Sequence, residues 1–327
     1  MRRLLVAILS ISLLLSIFGL SNQTRAAGQY PEKPITFIVP IEAGSVGDTR
    51  SRLLCKKASP VLGQQIVVVN KPGAGSTIGY LELRGAKPDG YTIGMGTVTI
   101  VTNKLQGLMP YDYHDFTQIG TFYTSPNDVF ASTKTKRPFK TIEELISYAK
   151  ANPRKVSMAS GGIGQSIWIG AMVFITGTGI DVNVIPQEGA GGLVVIQVAG
   201  GHVDIGVFSL TEAKPQMDAG NLRFLATLGS KRKSGFENVP TVKELGYNAV
   251  WESFGVVMGP PKLPKDISEK LAKAFEVAAK DPEYIQFIES RGAYRFYLSP
   301  DQIIPYCDDL RKSVRNVMDK AGILKEK

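Results

Sequence analysis

At 327 residues, with 38 basic and 29 acidic side chains, the chain carries a formal charge of +9 and no long charge run. That length permits a large core and favours two domains over one. The diffuse charge suits an anionic small ligand and argues against nucleic acid, and two cysteines are too few for a disulfide-built scaffold.

Arg2 and Arg3 precede an uncharged apolar run from Leu4 to Leu20, and small residues follow down to Thr24-Arg25-Ala26-Ala27. This is the layout of a secretory signal peptide cleaved near Ala26. The run is 17 residues, at the lower edge of a bilayer span, so a retained anchor is the alternative. Cleavage leaves 301 residues and, by removing Arg2, Arg3 and Arg25, a charge of +6. An exported, periplasmic protein is expected. Export permits a disulfide between Cys55 and Cys307, but two buried free thiols are the favoured reading.

Ile35 to Val39 is a short apolar strand that Pro40 ends, and Ala43-Gly44-Ser45 with Gly47 makes a small-residue loop. Asp48 is the expected cap of a helix carrying Leu53, Leu54, Ala58, Val61 and Leu62 on its apolar positions. A strand, a Gly-rich turn and a helix start direct backbone N–H groups outward together, where they attract anions. Gln65 to Val69 reads as the next strand. It leads through Asn70-Lys71-Pro72-Gly73-Ala74-Gly75-Ser76 into a helix from Ile78 to Arg84. The glycine spacing there does not match a dinucleotide fingerprint. Lys87 to Gly90 is a turn and Tyr91 to Gly96 a strand. Pro110 to Phe116 is a loop containing His114.

Thr117 to Tyr123 and Val129 to Ser132 are extended. Thr141 and Glu144 form a capping box for a helix that buries Ile142, Leu145, Ile146 and Ala149. Val156 to Ala159 is a strand that runs through Ser160-Gly161-Gly162-Ile163-Gly164-Gln165-Ser166 into a helix from Ile167 to Thr176, repeating the first arrangement. Asn183 to Ile185, Asp204 to Phe208 and Leu222 to Leu228 are strands, and Thr241 with Glu244 is a second capping box. Trp251 to Met258 is extended. Helices follow at Asp266 to Ala279, at Pro282 to Arg291 and from Ser299-Pro300 onward. Alternating strands and helices call for α/β layers. If the extended stretches at Thr117–Ser132 and Trp251–Met258 both cross between lobes, residues 28–124 plus 254–327 form one lobe and 125–253 the other, with a ligand cleft between them.

Several segments together resemble the substrate-binding proteins of tripartite tricarboxylate transporters, the Bug/TctC family. They are Tyr30-Pro31-Glu32-Lys33-Pro34, Val39-Pro40, Ala43-Gly44 with Asp48, Asn70 to Gly75, Pro88-Asp89-Gly90-Tyr91-Thr92, Ala159-Ser160 with Gly162 and Gly164, Gly200 to Asp204, Val239 to Val242, and Ser299-Pro300. They occur in family order across the whole mature chain. The resemblance implies a two-lobed periplasmic binding protein fold, type II-like, with two crossover connections. It implies capture of a small organic carboxylate for membrane permease subunits, with no cofactor, no metal and a monomeric receptor. The loops it assigns to one ligand carboxylate correspond to Ile41–Asp48 and Ser160–Ser166. The candidate ligand-binding residues are Ile41, Ala43, Gly44, Ser45, Asp48, Gly75, Ser76, Ser160, Gly161, Gly164, Gln165, Ser166, Trp168, Gln187 and Phe208.

The chain departs from the family pattern at Ile41, Glu42, Trp168, Gln187-Glu188 and Phe208. Loss of a frequent Lys and a frequent acid, with Ile41, Trp168 and Phe208 in their region, leads to the expectation of an apolar far end suited to a monocarboxylate. The rival class is an exported enzyme. His114 and His202 are the only histidines and are expected to be solvated, and neither has a metal-ligand partner at the right spacing. No G-x-S-x-G elbow is present, and Ser160 and Ser166 read more simply as hydrogen-bond donors than as nucleophiles. A sensor protein that presents its closed form to a signalling partner is the third possibility.

Overall fold

The computed structural model describes residues 30–187 and 191–326. The expected leader, and Glu188 and Gly189 of the second-half loop, lie outside the described residues. The rest forms an α/β fold of two lobes, each built on a five-stranded mixed sheet.

The first sheet has the order β2-β1-β3-β10-β4, with β1 at Ile35–Val39, β2 at Ile66–Asn70, β3 at Thr92–Gly96, β4 at Thr117–Pro126 and β10 at Glu252–Gly259. β1 lies parallel to both β2 and β3, while β10 runs antiparallel to β3 and β4. The second sheet repeats the plan as β7-β6-β8-β5-β9, with β5 at Asp128–Ser132, β6 at Ser157–Ser160, β7 at Asn183–Pro186, β8 at Ile205–Phe208 and β9 at Leu222–Thr227. The chain passes from the first sheet to the second between β4 and β5 with only Asn127 intervening, and returns between β9 and β10. The two extended stretches read from the sequence lie side by side, from Glu252 opposite Pro126 to Gly259 opposite Thr117.

β1 is apolar at every position but Thr36 because both faces of the sheet are covered there. Ile35, Phe37 and Val39 face a core with Leu54 and Phe275, contributed by α1 (Val46–Leu62) and α8 (Lys265–Ala279). Ile38 faces the opposite core with Tyr80 and Leu83 of α2 (Thr77–Gly85). In the second lobe, α4 (Ile142–Ala151) and α5 (Ser166–Thr178) cover one face. α6 (Gly191–Ala199) and α7 (Leu210–Asp218) cover the other, packing Val194, Val198 and Ala213 against Phe130 and Phe208. α9 (Pro282–Glu289) and the long α10 (Pro300–Lys320) complete the fold.

Local chemistry changes some sequence expectations. The N-cap of α1 is Ser45, whose Oγ accepts from the Asp48 amide, and Asp48 sits three residues inside the helix. α3 (Thr99–Leu105) is not expected from the sequence, because Thr99, Ile100, Val101 and Thr102 favour strands, and burial of Ile100, Val101 and Thr102 holds the segment helical. α7 was hidden by Pro215. The Thr241–Glu244 capping box forms both of its hydrogen bonds, yet no helix follows, since Gly246 adopts a left-handed φ of 85° and turns the chain. Cys55 and Cys307 are buried free thiols in two different cores. Burial pushes the Cys307 thiol up to about 12 and likewise raises the Cys55 thiol well above its ordinary range.

Candidate functional site

A cleft of about 490 Å³ opens where the turns after β1, β2 and β3 meet the start of α5 and the crossing strands β4 and β10. Such a position, at the carboxyl ends of parallel strands, is where α/β sheets place ligands. A larger hollow of about 780 Å³ lies elsewhere, between α7 and the end of α9. It is lined by neither the start of α1 nor that of α5.

The first wall is the α1 turn. Ser45, Val46 and Gly47 line the cleft beside Ile41. Asp48 stands behind this turn, 1 % exposed. Burial by itself would raise its carboxyl. Arg52 at 3.0 Å, the Gly44 amide at 2.8 Å and Asn70 Nδ2 at 2.9 Å hold it below the ordinary range instead. Asp48 therefore braces the loop with both oxygens engaged by the protein.

The second wall is the loop Gly73–Ser76. Ala74, Gly75 and Ser76 all have positive φ, at 46°, 61° and 78°. For Ala74 and Ser76 this is a strained backbone, of the kind that persists where surroundings over-determine it. Asn103 Nδ2 supplies that restraint by donating to Gly75 O and Thr77 Oγ1. Nearby, Tyr80 Oη joins Thr97 and Thr99 in a hydroxyl network with contacts of 2.8–3.3 Å, so the two threonine side chains are fixed at the cleft edge.

The opposing wall is the start of α5, where Gln165 and Ser166 face the α1 turn. Trp251 Nε1 donates to Ser166 O at 2.9 Å and fixes this helix start against the crossover. Gln106, next to α3, donates through Nε2 to Gly164 O at 3.2 Å and ties the loop to the first lobe.

Of the candidate residues, Ile41, Ser45, Gly75, Ser76, Gln165 and Ser166 meet at the cleft. Ala43 and Gly44 are exposed on the loop outside it. Ser160 is fully buried with Oγ directed to Gly161 O, and Gly161 packs against Ile167. Gln187 pairs its amide with Ser160 O and its side chain with Ile185 O. Trp168 and Phe208 are buried in the cores and do not form an apolar cleft end. Phe208 stacks on Phe130 at 4.7 Å, because its side chain lies on the sheet face that α6 and α7 cover. His114 is not freely solvated: its ring nitrogens reach Asp112 at 3.0 Å and Asp308 at 3.3 Å. His202 is exposed. Among the described residues no group of three or more His, Cys, Asp or Glu could hold a metal ion.

The sequence reading missed Arg50, Tyr123, Ser125, Asn127, Ser209 and Ser253, all of which line the cleft. Tyr123, Ser125 and Ser253 come from β4 and β10, whose pairing brings together residues more than a hundred positions apart, and Asn127 follows β4 directly. Arg50 carried a usable signal: it stands three and four residues after Gly47 and Val46, on the same helix face as the turn.

The profile of the family described as "Tripartite tricarboxylate transporter family receptor" (TctC) matches residues 51–323. Protein BugT of Bordetella pertussis is 28 % identical over 329 residues, covering 97 % of this chain and 98 % of that protein. A UPF0065 protein from the gbd 5' region of Cupriavidus necator is 29 % identical, covering 99 % of both chains. Among solved structures, a Rhodopseudomonas palustris protein, Rpa4515 with adipate, superposes with a TM-score of 0.79 at 26 % identity, over 90 % of this chain and 99 % of that one. The periplasmic binding protein BugD superposes with a TM-score of 0.75 at 27 % identity, over 90 % and 99 %. The chain belongs to the TctC family of tripartite tricarboxylate transporter receptors, the Bug solute-binding proteins.

Proposed function

We propose that this chain is a periplasmic receptor that closes its two lobes on a small organic carboxylate and hands it to membrane permease subunits. The observation that carries the reading is the meeting of two helix starts, α1 at Ser45–Gly47 and α5 at Gln165–Ser166, on opposite walls of one cleft. Each start offers N–H groups that no carbonyl of its own helix satisfies, and the partial positive charge there favours an anion. Neutral, preorganised donors of this kind hold an anion without trapping it irreversibly, which suits a receptor that must release its ligand. The adipate in the neighbouring Rhodopseudomonas structure supports the ligand class. The division into residues 28–124 plus 254–327 and residues 125–253 is supported by the strand memberships, since β1 to β4 and β10 share one sheet and β5 to β9 the other. Export by the leader at residues 1–26 and a monomeric state complete the proposal.

A thermal-shift screen of the purified mature chain against organic acids tests it. A ligand bound only by the folded state raises the melting temperature. At least one carboxylate should do so in proportion to the logarithm of its concentration. A neutral solute that stabilises while every acid fails would sink the reading.

A further inference from the structure

Arg50 is 3 % exposed, yet it lines the cleft. Its guanidinium lies over the Tyr123 ring at 4.6 Å. Nε and Nη2 are buried with no hydrogen-bond partner, and among the described residues no carboxylate lies within ion-pair distance of it. The two acids on the cleft wall are occupied or peripheral. Glu212 accepts from Ser209 N and Oγ, at 3.2 and 2.7 Å, and Glu42 is exposed on the rim. A buried cation without an anion is costly, and interiors do not keep one without a use. Asn127 Oδ1, at the junction of β4 and β5, is a second buried polar atom of this cleft without a partner.

These groups are distinct from the helix-start donors. The helix starts form facing walls, whereas Arg50, Tyr123, Ser125, Asn127 and Ser253 surround the crossing strands at the floor. A ligand with one carboxylate, held between the helix starts, would leave the guanidinium unpaired in the closed receptor. We propose that Arg50 anchors a second carboxylate, so that the cleft selects a dicarboxylate. This rests on the receptor reading above and replaces the expectation of an apolar monocarboxylate. The planar guanidinium fits a carboxylate through two parallel N–H···O bonds. Asn127 Oδ1 adds an acceptor suited to a hydroxyl near that end of the ligand.

The test is calorimetric titration of the mature wild type and Arg50→Met with adipate and hexanoate, which share a six-carbon length, alongside thermal unfolding of both proteins without ligand. The wild type should bind adipate at least tenfold tighter than hexanoate. In Arg50→Met, adipate affinity should fall roughly a hundredfold while hexanoate affinity stays within about threefold. Because the empty protein holds this charge unpaired, Arg50→Met should melt at the same temperature or higher. Three results would overturn the assignment. They are unchanged adipate preference in Arg50→Met, equal binding of both acids by the wild type, or a large drop in the melting temperature of ligand-free Arg50→Met, which would make Arg50 a structural brace. Equal binding of both acids leaves the receptor reading intact. Failure of every carboxylate beside binding of a neutral solute removes both.

Discussion

At the scale of single residues, position in the cleft and position in the core lead to opposite expectations. Ser166 lines the cleft beside the start of α5, and the Oγ of this residue is a donor for an ionised acceptor. Ser166→Ala should weaken carboxylate binding by roughly 1–3 kcal/mol with little change in stability. Calorimetry at matched pH and salt checks this, and equal affinities would remove Ser166 from the site. Phe208 is fully buried at one end of an aromatic row, with Phe130 stacked on it and Phe224 packed on Phe130 at 5.1 Å. Phe208→Ala should cost about 3–5 kcal/mol in urea unfolding, through lost burial and the cavity left behind. A loss of affinity without that loss of stability would return Phe208 to the ligand site. From sequence, an isolated Phe near a strand end cannot be assigned to core or cleft, because a one-residue change of register reverses its face. The buried guanidinium of Arg50 was equally hidden among Asp48-Thr49-Arg50-Ser51-Arg52, where Arg52 takes the ion pair with Asp48 and Arg50 takes none.

At the scale of elements, motif-bearing turns were legible and long-range pairing was not. The strands, the two Gly-rich turns and most helices follow from residue order, since their caps and apolar spacing are local. The floor of the cleft depends on β4 meeting β10, which no local pattern announces. The docking of α10 is another long-range feature. Asp112 accepts from Lys104 at 2.9 Å and Arg311 at 2.6 Å, and its Oδ1 accepts from the His114 amide at 3.0 Å. Tyr113 Oη donates to Asp308 of α10 at 2.6 Å. Burial opposes ionisation of Asp112, but these donors win and hold the carboxyl down to about 2. A carboxyl depressed in the folded state contributes stability above its unfolded value near 3.8, and that contribution is lost as pH falls through the folded value. Asp112→Asn should therefore destabilise the protein at pH 7 by roughly 1–2 kcal/mol, a figure reduced for partial solvent screening. Its deficit should vanish between about pH 4 and pH 2. Urea midpoints across that range provide the measurement, and a deficit independent of pH would mean that charge is not the cause.

At the scale of the whole molecule, the lobes are joined by more than the two crossing strands. Lys233 is 2 % exposed, pairs with buried Asp128 at 3.1 Å and donates to Gly292 O at 2.8 Å. Asp128 also accepts from the Leu210 amide at 2.9 Å, so one ion pair fastens β5, the start of α7 and the turn after α9. Burial pushes the Asp128 carboxyl up to about 6 even beside the ammonium. A raised acid value means that the folded state holds its proton more tightly, so this group costs stability as pH rises from about 4 through about 6. Lys233→Met should lower stability by about 3–5 kcal/mol at pH 7.5, because it leaves a carboxylate buried alone, and the deficit should shrink toward pH 5 as that carboxylate takes a proton. A variant as stable as wild type at pH 7.5 would show that the pair is dispensable. Cys55 and Cys307, sealed in separate cores and held as unreactive thiols, have a practical consequence of a different sort. The native fold leaves them silent to maleimide dyes. A single cysteine placed at exposed Glu42 on the rim would be the sole labelling point of the folded protein, so that one attached fluorophore could report lobe movement in real time without first stripping the chain of its own sulfur.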